Sequence, residues 1–404
     1  MPKDIDSPFA PGRPVPVDLF VGRSDEVKHL IAKAASASRG NLQVGFISGE
    51  RGIGKSSLAS FVRVLAEKEH KMLGLHILLG GVSTLEEMAR RVFDRLVKVS
   101  IEKPWYKKIS DFLGKHIRKV GLFDISFEFS ASHDDLSRAV HDFAPAMRNL
   151  VKQLGEDRTG IVLILDDING LAALSAFANW LKSLVDEIAT SQDRLPLYLL
   201  LVGTEERRRA LIQAQPSCAR LFDLVEIRAW SNEETRGFYT QAFGAISINV
   251  DDDALNLLVT YAGGLPVLAH EIGDAVFRAN EDSEVSLEDA LEGTVAAATI
   301  VGRKYLEPQV LEAIRSPRYR SILRKLARSI GGAYASAFRR RDVVKLLSKD
   351  EAGVLDNLLN KMIGLDVLVR DPATGGPGAY RFRHILHRMY FMLEAMRAEK
   401  GRGR

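Results

Sequence analysis

The stretch that most constrains the fold of this chain is Gly49–Ser56, which reads Gly-Glu-Arg-Gly-Ile-Gly-Lys-Ser. It fits the spacing G-x-x-x-x-G-K-[ST] without a gap, which is the spacing of a phosphate-binding loop. The apolar run Val44–Ile47 before it predicts a buried strand, and an amphipathic helix opens at Ser57. Strand, glycine-rich turn and helix in this order put backbone N–H donors at a helix N-terminus, where phosphate groups bind. The alternative is a chance glycine-rich turn before a helix.

The residue types in this loop indicate how it would hold a nucleotide. Lys55 is long enough to reach the β- and γ-phosphate oxygens, and the hydroxyl of Ser56 can bind Mg²⁺. We therefore expect a catalytic role for Lys55 and a metal-binding role for Ser56. The residues predicted to contact the nucleotide are Gly49, Glu50, Arg51, Gly52, Ile53, Gly54, Lys55, Ser56 and Ser57.

A second stretch ends in two carboxylates. Ile161–Leu165 is an apolar run, and Asp166 and Asp167 follow it directly. Such a run predicts a strand that is buried on both faces, as in a parallel sheet, with the two carboxylates at its C-terminal end. The pattern is that of a Walker B strand, in which Asp166 would hold Mg²⁺ and Asp167 would polarise the attacking water. An ordinary Asp-Asp turn is the alternative.

Length and composition limit the class of protein. A chain of 404 residues with 46% apolar content can form two or three domains with a sizeable core. No apolar run approaches the roughly 18 residues of a membrane span, and prolines replace a basic and apolar leader, so we expect a cytoplasmic protein without a membrane partner. The single cysteine, Cys218, excludes an internal disulfide and a cysteine-based metal cluster.

The order of the predicted elements indicates an α/β fold, because strands alternate with helices. Besides the two strands already named, strands are predicted at residues 72–79, 197–202 and 224–227. Helices are predicted at 83–99, opened by a capping box of Ser83 and Glu86, and at 171–188. Residues 100–135 indicate an insertion with a strand at 123–129, either solvated or in contact with nucleic acid.

The segment Phe20–Glu26 lies one helix ahead of the phosphate-loop strand. It resembles the F-x-G-R-x-x-E segment of AAA+ and STAND ATPases, whose backbone and apolar side chains pack on the adenine. The resemblance implies ATP as the nucleotide, with Mg²⁺, and no Asn-Lys-x-Asp motif for guanine occurs in the sequence. It also implies base-pocket roles for Phe20, Val21, Gly22 and Arg23.

The same resemblance implies roles for three further residues. Thr204 would be the sensor 1 residue that contacts the γ-phosphate or the attacking water, unless its hydroxyl caps the next helix. Arg220 would be an arginine finger that reaches a neighbour's ATP in a homo-oligomer, unless it forms a surface ion pair. Gly263–Pro266 resembles the G-x-P signature of STAND ATPases, with Pro266 near the nucleotide, unless it is only a turn between two helices.

The chain departs from the AAA+ pattern at two points. Many AAA+ proteins have Glu where Asp167 stands. The shorter side chain of Asp leaves hydrolysis possible but affects its rate. No arginine follows Pro266 before Arg278, so no sensor 2 role is assigned.

Four parts of the chain are predicted from these patterns. They are an extended, proline-rich arm at 1–19, an ATPase core at 20–229, a helical lid at 230–300 and a basic domain at 301–404. The last part has three predicted helices, a hairpin and a final helix, which is the order of a winged helix. The fold class is therefore α/β, an AAA+-like P-loop NTPase with a parallel-sheet core, a helical lid and a C-terminal winged-helix domain.

The charge is divided unevenly along the chain. Residues 301–404 carry 22 Lys and Arg and 10 Asp and Glu, a net charge of +12, whereas residues 1–300 carry 34 and 42, a net charge of −8. A basic domain favours a polyanion partner. The third helix would expose Asp350, Glu351 and Asp356, which argues against base reading by that helix. Contacts with DNA phosphates are predicted instead for Arg318, Arg320, Arg324, Lys325, Arg339, Arg340, Arg341, Arg381, Arg383, Arg402 and Arg404.

We predict from these features an ATP-hydrolysing switch that acts on DNA, mainly through the phosphate backbone, as a homo-oligomer. The alternative is a signalling or defence scaffold in which the nucleotide controls a protein partner and the winged helix does not touch DNA. A third hypothesis is a pseudo-ATPase that binds ATP without hydrolysing it.

Overall fold

A computed structural model of the chain describes residues 6–12, 20–101, 103, 107, 133–191, 193–329, 337–372 and 376–400. The chain divides into two compact units. We call Pro14–Arg228 the core unit, and Met1–Arg13 together with Ala229–Arg404 the helical unit. The predicted lid and C-terminal domain thus belong to the same unit. Most of the predicted insertion, including the strand at 123–129, lies outside the described residues.

The core unit is built on a parallel sheet, which confirms the predicted α/β fold. Its described strands pair in the order β2-β3-β4-β1-β5, and every pair is parallel. The strands are β1 (Gln43–Gly49), β2 (Leu73–Leu78), β3 (Ile161–Asp166), β4 (Leu197–Gly203) and β5 (Asp223–Ile227). Every residue of β3 and β4 is buried, as expected for central strands that are covered on both faces.

Helices connect these strands and supply the rest of the apolar core. They are α1 (Ser24–Ser38), α2 (Lys55–His70), α3 (Leu85–Ser100), α4 (His133–His141), α5 (Phe143–Leu154), α6 (Ser175–Thr190) and α7 (Glu205–Ala214). No helix in the described ranges is both long and apolar enough to cross a membrane.

Two predicted helix starts in the core unit were wrong. The N-cap of α3 is Thr84, whose hydroxyl accepts the N–H of Glu87, and not Ser83. The reason is the preceding turn, where the Val82 N–H donates to the Leu79 carbonyl and delays the helix by one residue. The helix predicted from residue 171 begins as a short 3₁₀ turn, and α6 opens only at Ser175.

The helical unit begins with four helices. They are α8 (Asn232–Gly244), α9 (Asp252–Ala262), α10 (Pro266–Ala279) and α11 (Leu287–Val301). The predicted capping box at the start of α8 is confirmed, because Ser231 and Glu234 each accept the other's backbone N–H. A short parallel pair, β6 (Asn249–Val250) with β7 (Glu284–Val285), was not predicted. A π-helical segment, Gly302–Leu311, follows α11.

The C-terminal part of the helical unit has its own apolar core. Its elements are α12 (Pro317–Ser329), β8 (Ala337–Arg339), α13 (Arg340–Val344), α14 (Lys349–Ala352), α15 (Leu355–Gly364), β9 (Leu368–Arg370), β10 (Ala379–Phe382) and α16 (Ile385–Lys400). The predicted hairpin of β9 and β10 is present, and β8 adds a strand to it in the antiparallel order β8-β10-β9. Residues from Leu306 to Phe391 share one buried cluster.

The predicted third helix of this part needs two corrections. It is split into α14 and α15, with a turn at Gly353 and Val354. Glu351 is not exposed but 8% accessible, and it accepts hydrogen bonds from Lys325 and Ser321. Burial alone would raise the pKa of Glu351, but the hydrogen bonds, first of all from Lys325, hold that pKa near 2.

The N-terminal segment packs into the helical unit through one aromatic side chain. Phe9 is 6% exposed, and its ring lies 5.8 Å from the ring of Phe238 and 4.9 Å from that of Phe243. The next residue, Ala10, donates its N–H to Nδ1 of His270. Burial lowers the pKa of His270 to about 4, so its ring is neutral and Nδ1 can accept at neutral pH.

This packing requires a glycine on α10. A Cβ at Gly273 would lie 2.3 Å from the ring of Phe9. We expect Phe9→Ala to lower the free energy of unfolding of the helical unit by about 3 kcal/mol, because a buried ring is lost. Gly273→Ala should cost about 1–3 kcal/mol alone through overpacking, but should be neutral or stabilising when combined with Phe9→Ala.

Urea titration of the full-length single and double variants measures this coupling. Asp6→Ala is the control, because Asp6 is exposed in the same segment. Two additive losses would contradict the packing of Phe9 against Gly273, since independent sites add.

Candidate functional site

The candidate site lies at the C-terminal edge of the parallel sheet. Strands β1, β3 and β4 are neighbours, and their ends align because Ser48 pairs with Gly203 and Asp166 with Val202. The phosphate loop follows β1, and Thr204 follows β4. The register therefore brings the predicted loop, the predicted Walker B aspartate and the predicted sensor residue to one edge, as loops at strand ends do in such folds.

The phosphate loop has the backbone shape that its glycines predict. Gly54 precedes α2 with φ of 94°, a conformation that residues with a Cβ rarely adopt. Gly49 allows a close approach to β5, since a Cβ there would lie 2.8 Å from the carbonyl oxygen of Ile227. The positive-φ glycines thus form a tight turn at the N-terminus of α2, where backbone N–H groups bind phosphate in such loops.

Lys55 is folded back onto the loop. Its Nζ donates to the carbonyl of Glu50 at 2.7 Å and to that of Gly49 at 3.1 Å. Burial lowers the pKa of Lys55, whereas the nearby charges of Asp166 and Asp167 raise it in part. The lysine is thus held at the loop by acceptors that phosphate oxygens can replace.

Asp166 is the buried member of the acidic pair. It ends β3 with 2% of its surface exposed, and its Oδ2 lies 2.8 Å from Nε2 of His76 on the neighbouring strand β2. None of the predicted site motifs contains His76. The one sequence signal for His76 is that it is a polar residue inside an otherwise apolar strand. The sequence does not show that β2 and β3 are adjacent in the sheet.

Asp167 has a different environment from Asp166. It is exposed, it has φ of 58°, and its carboxylate accepts a hydrogen bond from Nδ2 of Asn169. Asp is one of the residue types that tolerate this left-handed conformation. The two carboxylates therefore separate into a buried group suited to hold a cation and an exposed group that water reaches.

The segment before α1 is fastened to the phosphate loop. The guanidinium of Arg23, 6% exposed, donates to the carbonyls of Ile53 in the loop and Arg228 beyond β5, both at 2.9 Å. Phe20 stacks on Phe61 of α2, with ring centroids 4.5 Å apart. The predicted base-pocket segment thus lies beside the loop, and Arg23 supports the loop backbone.

The remaining predicted residues are placed as follows. Thr204 is the N-cap of α7, but its side chain makes no capping hydrogen bond, so the capping alternative is not observed. Arg220 is exposed at the end of a 3₁₀ turn, and no ion pair joins it to a described residue. Pro266 is buried in the first turn of α10, in the helical unit, after two glycines with positive φ.

The residues at the sheet edge suit a magnesium nucleotide. Oxygen donors from a hydroxyl, Ser56, and a carboxylate, Asp166, are the ligands that Mg²⁺ prefers. The positive-φ glycines at 52 and 54 leave N–H groups and a lysine for an anion at the start of α2. The donor set therefore fits both the metal and the triphosphate that the sequence predicts.

Comparisons with known proteins agree with this fold. Residues 19–202 match the family described as "AAA ATPase domain". The ORC2 protein of Aeropyrum pernix, in ADPNP-ADP complexes, is similar in structure over 98% of both chains, with a TM-score of 0.59 and 14% identity. A Walker-type ATPase of Pyrococcus abyssi is similar over 92% of this chain and 96% of that one, with a TM-score of 0.51 and 18% identity.

No curated protein matches the sequence significantly. The two similar structures share only 14% and 18% sequence identity with this chain, so their likeness establishes the fold alone. Residues 19–202 thus match an AAA ATPase domain, and the core unit has the P-loop NTPase fold of AAA+ proteins.

Proposed function

We propose that this protein is an ATP-binding and ATP-hydrolysing molecular switch of the AAA+/STAND type that acts on DNA through residues 301–404. The observation that carries the proposal is the sheet edge, where Asp166 and Thr204 lie at or next to aligned strand ends and Lys55 opens the helix that follows the neighbouring strand β1. A charged loop, a buried carboxylate and a polar strand end are the parts that phosphoryl transfer requires.

Each of these residues has a role that follows from its surroundings. Lys55 exchanges its loop carbonyl acceptors for β- and γ-phosphate oxygens. Ser56 and Asp166 would hold Mg²⁺, which neutralises charge on the phosphate oxygens when it is bound. Asp167, exposed to water, polarises the attacking water, and Thr204 contacts the γ-phosphate or that water. Arg220 serves the site of a neighbouring copy in a homo-oligomer.

Two substitutions separate nucleotide binding from hydrolysis. Lys55→Ala should weaken ATP binding and abolish phosphate release, because the cation that pairs with the phosphates is gone. Asp167→Asn should retain ATP affinity but lower turnover on the order of 100-fold, because it removes only the group that polarises water. Equilibrium binding of a fluorescent ATP analogue and single-turnover phosphate release measure the two steps.

Lys68→Ala is the matched control for Lys55→Ala. Lys68 is an exposed lysine of the same helix, about 20 Å further along its axis. If the unmodified protein releases phosphate no faster than the Lys55→Ala variant, the protein is a pseudo-ATPase. That result would contradict the hydrolytic part of the proposal.

The DNA part of the proposal depends on charge in the C-terminal region. Residues 301–404 carry a net charge of +12. The strand register places Arg339 and Arg381 on one face of the three-stranded sheet, because Arg339 pairs with Ala379, two residues before Arg381. Both side chains are exposed. A basic sheet face of this kind, next to three helices, suits the phosphate contacts of a winged helix.

A second candidate function is favoured by a different observation. Many of the cations predicted to contact phosphate already hold carboxylates, as in the pairs Lys325–Glu351, Arg340–Asp356 and Arg383–Asp366, at 2.8, 2.6 and 3.0 Å. Such pairing reduces the charge available to DNA and fits a scaffold that binds protein partners. In that case the nucleotide state controls a protein interaction.

Salt-dependent DNA binding distinguishes the two functions. The double variant Arg339→Ala/Arg381→Ala should weaken duplex binding at low salt and reduce the slope of log affinity against log salt by about 1 per lost contact, whatever the sequence. Fluorescence anisotropy with two unrelated duplexes, with and without ATP, measures both effects. Because the protein is proposed to be a switch, ATP should change the affinity of the unmodified chain.

Arg370→Ala is the control in the same hairpin. Arg370 pairs with Tyr380, so it lies on the opposite face of the sheet. Absence of duplex binding at low salt in both nucleotide states would overturn the DNA function and leave the scaffold.

A further inference from the structure

We infer that His76 is a positioning residue for magnesium binding at Asp166, which it orients by a hydrogen bond from the neighbouring strand. This inference rests on the proposed Mg-ATP function and names a residue that the phosphate-loop and Walker B motifs do not contain.

The geometry of the contact is set by the sheet. Leu78 of β2 pairs with Asp166 of β3, and His76 pairs with Ile164. Side chains alternate along a strand, so His76 and Asp166 lie on the same face, one pair apart on the diagonal. The 2.8 Å contact between Nε2 and Oδ2 joins two side chains that are 12% and 3% exposed.

The chemistry of the pair gives the direction of the hydrogen bond. A carboxylate that binds a metal ion is ionised and can only accept, so the ring donates from Nε2. Oδ1 of Asp166 accepts no hydrogen bond from the described residues, which leaves that oxygen for a cation. A donor behind a ligating carboxylate fixes its orientation, and loss of such a partner typically lowers metal affinity about 10- to 100-fold.

The sequence around His76 supports a role beyond packing. Its strand neighbours Leu75 and Ile77 are fully or almost fully buried apolar residues, and β2 carries no other polar side chain. A leucine or valine at 76 would continue the apolar strand and would leave Asp166 as a buried carboxylate without this partner. Burying a carboxylate without a donor is costly, so the histidine also keeps Asp166 in place before the metal arrives.

The test compares His76→Leu, which removes the donor, with His76→Gln, which can place an amide N–H near the position of Nε2. Each full-length variant is titrated with a fluorescent ADP analogue in EDTA and again across a range of MgCl₂. His76→Leu should keep the affinity for the ADP analogue in EDTA within about twofold of that of the unmodified protein. It should raise the Mg²⁺ concentration that gives half of the maximal increase in this affinity about 10- to 100-fold. His76→Gln should restore most of the Mg²⁺ dependence.

A second histidine of the core unit supplies the matched control. Nε2 of His29 contacts Asp223 at 2.7 Å, but Asp223 begins β5, at the opposite end of the strand from the phosphate loop. His29→Leu removes a histidine–aspartate contact of similar length, more exposed than that of His76 and backed by Lys33, and should leave the Mg²⁺ titration unchanged.

The outcomes separate this inference from the proposed function. An unmodified protein that binds no adenine nucleotide would overturn the proposed function and this inference with it. An unmodified protein with a clear Mg²⁺ dependence that His76→Leu preserves would overturn the inference alone. Equal loss of affinity in EDTA and in Mg²⁺, with a lower melting temperature, would show a purely structural role and would also overturn it.

Discussion

The complete burial of the central strands is the constraint on which the candidate site depends. Strands β3 and β4 have no exposed residue, so charged side chains can stand only where these strands end. Parallel pairing puts those ends on one edge, and β1 lies beside β4 with its own end aligned. The apolar core therefore determines where Asp166, Thr204 and the phosphate loop meet, and the chemistry follows from the packing.

The loop needs support because a nest of N–H groups holds its shape only against a rigid frame. Arg23 provides two hydrogen bonds to backbone carbonyls from a buried guanidinium, one of them inside the loop. Both bonds are donated by Nη2, whose two N–H groups are fixed in the guanidinium plane, whereas the ammonium group of a lysine can rotate. The left-handed conformation of Arg23, with φ of 61°, places this side chain at the start of α1. The segment that resembles an adenine-binding motif is thus also a brace for the phosphate loop.

The sequence predicted the parts of the site that depend on local patterns. The phosphate-loop motif around Lys55 and the apolar run before Asp166 are each a single continuous stretch of sequence, and each specifies its own backbone shape. His76 could not be predicted, because its role arises only from the adjacency of β2 and β3, which are separated by more than 80 residues. The strand β8 was missed because three residues are too few to show alternation.

Thr84 shows a smaller limit of the same kind. Ser83 and Thr84 are both suitable N-caps, and the choice between them depends on where the turn after β2 anchors Val82, which is 1% exposed. Sequence patterns thus give the existence of a helix more reliably than its first residue. The backbone of Asp167 is equally hard to predict from sequence, because its left-handed conformation comes from the turn that follows a buried strand.

The C-terminal region shows that net charge and usable cations are different quantities. An exposed ion pair contributes only about 0–1 kcal/mol, so a DNA phosphate can compete for Arg340, whose partner Asp356 is solvent-exposed. Lys325 is different, because its removal from Glu351 would leave a buried carboxylate without its cation. The net positive charge of this region can attract a polyanion from a distance. Direct contact with phosphate, however, favours the cations that can leave their carboxylate partners with little loss of free energy. Under the proposed DNA function, Arg340 therefore contributes more to DNA affinity than Lys325, because only the carboxylate partner of Arg340 is solvent-exposed.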